Sequence, residues 1–350
     1  MNLKSLVCAA LAMLVFSILP STAEAHAQSV GCGTVIDTPG NYQLSENLTC
    51  LVGLPPGLFC DKAAITITAP NVHLDGQGFT LTGTLAIGIG IQITAPNVQV
   101  RNVTVDSFDI GIEIREGGSN HLEAVNLKSS GGFLCSVGTG LRLINTTDNH
   151  VNRSNISGNG NWGVQLINSS GNQMNGNQIV DNRSRPGAPT GNIGLLSSHQ
   201  NVISGNDLSR GGLYGIRAEE SNGNVIFRNR LKDNGIPSGI GIGILLDRSE
   251  NNLVHSNLVD REPVTTPPAE SGFRGIVVSQ GATQNVITAN RVFIQFGVGI
   301  LLDQNATQNV ILGNRAKNNN PWDAQDDNTG CDANIWRANQ FNRVNQSCIR

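Results

Sequence analysis

Ten times along this chain an Asn is followed by an apolar pair or near-pair, and in most copies a second Asn stands five residues on. The clearest copies are Asn201-Val202-Ile203-Ser204-Gly205-Asn206, Asn224-Val225-Ile226-Phe227-Arg228-Asn229, Asn285-Val286-Ile287-Thr288-Ala289-Asn290 and Asn309-Val310-Ile311-Leu312-Gly313-Asn314. A repeat of this length decides the fold before any single motif does. The first Asn residues are Asn71, Asn97, Asn120, Asn149, Asn172, Asn201, Asn224, Asn252, Asn285 and Asn309, and their shortest spacing is 23 residues. Each repeat opens with Gly and alternating apolar residues, as in Gly111-Ile112-Glu113-Ile114, Gly163-Val164-Gln165-Leu166 and Gly299-Ile300-Leu301-Leu302. A third short strand such as Gln178-Ile179-Val180 follows the second Asn. Three short strands and three turns per period make one rung of a parallel β-helix. A leucine-rich repeat would need a regular Leu frame, which is absent.

The spacing therefore predicts an all-β, right-handed parallel β-helix of about ten rungs, capped at both ends. The boundaries read as a signal peptide over 1–27, an N-terminal cap over 28–62, the β-helix over 63–317 and a C-terminal cap over 318–350. Extra residues fall in the third turn, at 183–189 and 262–273. Aromatic residues make up only 4%, so Ile, Leu and Val must build the core. The 41 Gly, with Asn about as common, disfavour long helices. The series Asn102, Asn126, Asn155, Asn177, Asn206, Asn229, Asn257, Asn290 and Asn314 is expected at the tight turn, because Asn tolerates left-handed backbone. It is also expected to stack as a ladder of side-chain amides.

Lys4, the apolar run Leu6 to Leu19 and the Ala-x-Ala sites at Ala23 to Ala27 read as an export signal. Cleavage after Ala27 is preferred, after Ala25 the alternative. The run is short for a membrane anchor, and no second stretch of spanning length follows. Six cysteines remain, and an even number in an exported chain suggests disulfides. The expected pairs are Cys32–Cys50, Cys60–Cys135 and Cys331–Cys348, the outer two stapling the ends. A formal net charge of −3 without a basic patch gives no footprint for nucleic acid.

The Gly-Ile-x-Leu strands and Asn-x-Ile-x-x-Asn turns over about residues 40 to 317 resemble the pectin-lyase-like superfamily, within it NosD-like and carbohydrate-binding/sugar-hydrolase repeats. That resemblance implies the fold. It leaves open polysaccharide lyases, hydrolases and epimerases, tailspikes, adhesins and a maturation factor for a copper enzyme. Gly-His-Gly and Arg-Ile-Lys of polygalacturonases are missing, and Asp326-Asp327 lies outside the repeat positions where an Asp-Asp motif belongs. The pectate lyase, pectin esterase and alginate epimerase signatures are absent as well.

By resemblance, substrate would lie on the outer face of the first strand. Residues two after the strand Gly read Glu113, Arg142, Gln165, Gly194, Arg217, Leu245, Val277 and Leu301. Those four after read Arg115, Ile144, Ile167, Leu196, Glu219, Asp247, Ser279 and Asp303. Arg217, Glu219, Asp247 and Asp303 are the candidate catalytic group. Asp247 and Asp303, two rungs apart, should be separated by about 9–10 Å, near the upper end for an inverting pair of carboxylates. Glu113, Arg115, Arg142, Gln165 and Trp162 are candidate substrate contacts, Trp162 as a sugar platform or as packing. The competing reading of the charges is cross-rung ion pairing on a solvated sheet. His73, His121, His150, His199 and His255 read as falling at unrelated repeat positions, giving no metal site. No cofactor is evident, and Ca²⁺ is left open. The expected function is an exported monomer that binds or cleaves an acidic polysaccharide, and the alternative is a non-catalytic structural or adhesive protein.

Overall fold

The computed structural model describes residues 27–52, 60–131, 138–183, 190–235, 240–262, 272–294 and 296–350. The expected leader up to residue 26, Cys135 and most of the two long third turns lie outside these. The described chain winds into a parallel β-solenoid with three sheets. Sheet one has 12 strands, from Thr34–Ile36 to Ala324–Asp326. Sheet two has 13, from Gln28–Ser29 to Ile335–Arg337. Sheet three runs as six strands ending at Gln178–Val180 and four from Arg230–Lys232 to Arg315–Ala316. Single parallel bridges through Asp207 join the two sections. The segment 28–62 places Thr34–Ile36 in sheet one, Gln28–Ser29 and Gly40–Gln43 in sheet two, and Leu48–Cys50 in sheet three.

Alternation explains the core. In sheet one Ile65, Ile91, Ile112, Leu141, Val164, Ile193, Ile216, Ile244, Ile276 and Ile300 pair in register and are fully buried. Each contributes roughly 1.5–3 kcal/mol by leaving water. The Gly that opens each strand is fixed by close approach. A Cβ on Gly215 would lie 2.6 Å from the Gly243 carbonyl and 2.7 Å from the Leu231 side chain.

The expected amide ladder is present from Asn177 to Asn314, without Asn102, Asn126 and Asn155, and a second ladder that was not expected runs along the first Asn of the repeats. One runs Asn120, Asn149, Asn172, Asn201, Asn224, Asn252, Asn285, Asn309, Asn334. The second runs Asn177, Asn206, Asn229, Asn257, Asn290, Asn314, Asn339. In each, the backbone N–H of one Asn donates to Oδ1 of the next, and from Asn149 and Asn177 onward Nδ2 does so as well. Asn229 is typical: its Oδ1 accepts from Asn206 N and Nδ2, both at 3.0 Å, and its Nδ2 donates to the Ile203 carbonyl and to Asn257 Oδ1. All four amide hydrogen-bonding positions are filled. Asn71, Asn97 and Asn102 are not ladder members. They occupy the left-handed position one residue earlier, at φ 57°, 58° and 51°. Asn126 and Asn155 stand one residue late, at the start of sheet-three strands, where Val125 and Ser154 hold the ladder position. The left-handed residue is thus the one before the ladder Asn, such as Arg228 (φ 54°) or Ala289 (φ 53°). Such backbone costs about 1–3 kcal/mol per residue and persists where surrounding bonds enforce it. A hydroxyl ladder, Ser169, Ser198, Ser221 and Ser249, lines the first turn.

Two buried carboxylates close the C-terminal end. Asp326 accepts from the Asn328 backbone and amide, from Asn334 Nδ2 and from Trp336 Nε1. Asp323 accepts from the backbone and amide of Asn319 and from the N–H groups of Asn342 and Arg343. Disulfides Cys32–Cys50 and Cys331–Cys348 staple the ends. Cys60 is disulfide-bonded, and its expected partner Cys135 is outside the described residues.

Candidate functional site

Strand register brings the outward residues of sheet one into two columns. Gln92, Glu113, Arg142, Gln165, Gly194, Arg217, Leu245, Val277 and Leu301 pair in sequence. Beside them run Arg115, Ile144, Ile167, Leu196, Glu219, Asp247 and Ser279. Asp303 follows the strand Gly297–Leu302, and its N–H donates to the Val278 carbonyl at 2.9 Å.

Glu113 points outward yet is 0% exposed, because its neighbours cover it. It accepts from Arg142 Nε at 2.8 Å, Arg115 Nε at 3.0 Å and Gln92 Nε2 at 3.1 Å. Burial alone would raise its pKa. The charges of Arg142 and Arg115 and the hydrogen bonds from Arg142 and Gln92 outweigh that, and the carboxyl is held below its ordinary value. Glu113 is therefore committed to its own arginines, while Arg142 and Arg115 keep exposed edges.

Beyond Gln165 the floor of the sheet drops to Gly194. Its missing side chain lets the Trp162 ring lie flat across it, since a Cβ there would sit 3.1 Å from the indole. Trp162 is 6% exposed and stacks on Tyr214, with centroids 6.3 Å apart and planes 8° apart. Asn161, Trp162, Gln165, Gly194, Leu196, Arg217 and Glu219 line a groove of about 280 Å³. Arg217 pairs with Glu219 at 2.6 Å and lies 5.5 Å over the Tyr214 ring, with its buried Nε unpartnered.

Arg248 organises the next rung, and outward-column reasoning passes over it. It sits in a turn at φ 46° and contacts Glu219, Glu220 at 3.1 Å, Asp247 at 3.6 Å and Gln280 at 2.7 Å. Asp247 is 4% exposed, and its Oδ1 has no hydrogen-bond partner. Burial pushes the Asp247 carboxyl up, the Arg248 charge opposes this and Glu219 adds to it. Asp303 is also raised, by burial first, against Arg274 and with Asp327 and Asp247.

The first column changes character here. Leu245, Val277 and Leu301, with Val298, form a second apolar cluster on the outside of sheet one, against Tyr214, Ile242 and Trp322. The open groove thus ends at Arg217 and Glu219, and Asp247 lies behind it. Trp162, Gln165, Arg217 and Glu219 meet in one groove; Glu113, Arg115 and Arg142 form a separate cluster on its N-terminal side.

The histidines correct the expectation of unrelated positions. His73, His121 and His150 occupy one outward column of sheet two, with Gln99 between the first two. His121 and His150 stack with centroids 4.7 Å apart and planes 6° apart. Burial and the neighbouring His121 lower the His150 pKa. The register of Asn71 misleads here, since it stands one position before the ladder. Among the described residues no three His, Cys, Asp or Glu side chains are grouped to hold a metal ion.

Stacked parallel rungs with a flanked outer sheet define a parallel β-helix protein of the pectin-lyase-like kind. The chain belongs to the NosD family, described as periplasmic copper-binding proteins, whose profile matches residues 65–266. No curated protein matches the sequence. Among solved structures, the Dettilon tailspike protein gp208 is 16% identical, with a TM-score of 0.63 over 89% of this chain and 61% of its own. The chain thus spans 61% of that tailspike. A DFA-IIIase mutant from Arthrobacter chlorophenolicus A6 in complex with DFA-III is 13% identical, with a TM-score of 0.56 over 79% of this chain and 84% of its own. The enzymatically active domain of bacteriophage CBA120 tailspike protein 2 is 16% identical, with a TM-score of 0.54 over 76% and 44%. At these identities the likeness is one of fold. The disulfides fit an exported protein, and no described helix is long and apolar enough to cross a membrane.

Proposed function

We propose that this chain is an exported, monomeric polysaccharide-binding protein that takes an acidic glycan along the outer face of sheet one. The observation that carries this is the groove over Gly194, with an indole on its floor and a part-exposed arginine at its end. Arg217 would hold a uronate carboxylate through charge-assisted hydrogen bonds, and Arg142 and Arg115 would extend the cationic track. The β-helix relatives named as an enzymatically active tailspike domain and as a DFA-IIIase with bound DFA-III support a ligand on this fold. In the catalytic form of the proposal Glu219, Asp247 and Asp303 handle protons, with Asp247 as the acid whose raised pKa keeps the proton available. Ca²⁺ would assist there by offsetting the charge of the uronates.

A second reading, binding without turnover, is favoured by the enclosure of Asp247 and its ties to Arg248. Incubation with uronate-rich polysaccharides, with and without Ca²⁺, separates the two. Ultraviolet absorbance reports unsaturated lyase products, and reducing-end assays report hydrolysis. Turnover abolished by Asp247→Asn and Arg217→Ala supports the catalytic form. Binding with no turnover supports the second reading, and absence of both rejects the proposal. The same preparation, sequenced from its N-terminus, should begin at Gln28.

A further inference from the structure

We infer that the described residues of this NosD-family chain do not fit a copper ion, so that its coil does not build a copper site from them. Copper(I) selects thiolate and thioether ligands and copper(II) favours imidazole. The described sulfur is not free to serve. Cys32, Cys50, Cys60, Cys331 and Cys348 are consumed in disulfides. Met174 is the one methionine in the described chain, and it is fully buried in the core, where it pairs in register with Val151 and Ile203.

The imidazoles do not converge. His121 and His150 lie face to face with nearly parallel planes. A ring nitrogen binds a metal in its own plane, and stacked rings aim their lone pairs side by side rather than at one point about 2.0–2.1 Å from both. His73 stands two rungs from His121, across Gln99. That is about 9–10 Å by rung spacing, too far for a shared ion. His199 Nδ1 accepts the Asn222 N–H at 3.0 Å. His255 stacks on Phe227 at 4.9 Å, away from the other histidines. What the family description names, the donor set of the described residues does not build. This inference is independent of the glycan proposal.

The test uses the mature protein with its disulfides intact. Copper(I) is titrated anaerobically against bicinchoninate, and copper(II) is added before gel filtration with metal analysis of the protein peak. The expected result is that bicinchoninate keeps all the copper(I), that the eluted protein carries copper(II) well below one equivalent, and that excess copper leaves Tm unchanged. One equivalent of either ion retained per chain, with a rise in Tm from preferential binding to the folded state, overturns the inference. Retention abolished in His121→Ala/His150→Ala would then assign it to the stacked pair. Copper removed by gel filtration is adventitious and supports the inference.

Discussion

Asn229 and Asn126 are the same residue type near equivalent turns, yet their side chains do different work. The Asn229 amide makes four buried hydrogen bonds; Asn126 makes one, at 3.4 Å to Thr104. Asn229→Ala strands the Ile203 carbonyl and its ladder neighbours, and is expected to cost about 1–3 kcal/mol. Asn126→Ala should stay within about 0.5 kcal/mol. Urea denaturation of both measures the difference. Glu113 gives a test with a sign. Its folded pKa lies below the ordinary 4.5, so its contribution is complete above that value and lost as pH falls through the folded pKa. Glu113→Ala should cost about 3 kcal/mol at neutral pH, the low end for breaking a buried pair because Arg115 keeps solvent contact. The gap to wild type should close under acid in thermal melts. The repeat makes the existence of ladders legible, but Asn suits three successive positions for different reasons: left-handed backbone, ladder amide and strand start. One letter cannot say which, and Asn71, Asn97, Asn102, Asn126 and Asn155 fall beside the ladders for that reason.

At the scale of one sheet, the outward columns of sheet one follow from the strand alternation, and the register of Glu113 through Arg217 is recoverable by counting. Two things are not. Arg248 acts from a turn, where counting strand positions gives no direction, and it reaches over two rungs to Glu219, Asp247 and Gln280. The apolar letters Leu245, Val277 and Leu301 are visible in the column, but their burial depends on Trp322 from the C-terminal segment, which spacing does not place. Asp247 is consequently enclosed. Its folded pKa lies above the ordinary 3.8. Stability from its protonated form is therefore full below 3.8 and lost as pH rises through the folded pKa. Asp247→Asn should raise Tm at neutral pH and flatten the fall in stability across the weakly acidic range. A drop in Tm would show that the Arg248 contact outweighs burial.

Over the whole molecule, parallel stacking leaves two ends and, on sheet one, an open groove. Disulfides staple both ends, and at the C-terminal end Asp323 accepts the Asn319 amide and Asp326 the Asn334 amide that ends one ladder. The solenoid was readable from the repeat because every rung restates it, whereas a site occurs once and has no second copy to confirm it. The most direct test of the groove is the affinity of the folded protein for a uronate-rich polysaccharide, measured by affinity electrophoresis for wild type, Arg217→Ala and, as a control on sheet two, His255→Ala. Wild type and His255→Ala should be retarded equally, and Arg217→Ala should bind about tenfold or more weakly, a loss of about 1.4 kcal/mol or more. Equal retardation of all three, or none for wild type, would contradict a glycan site on sheet one.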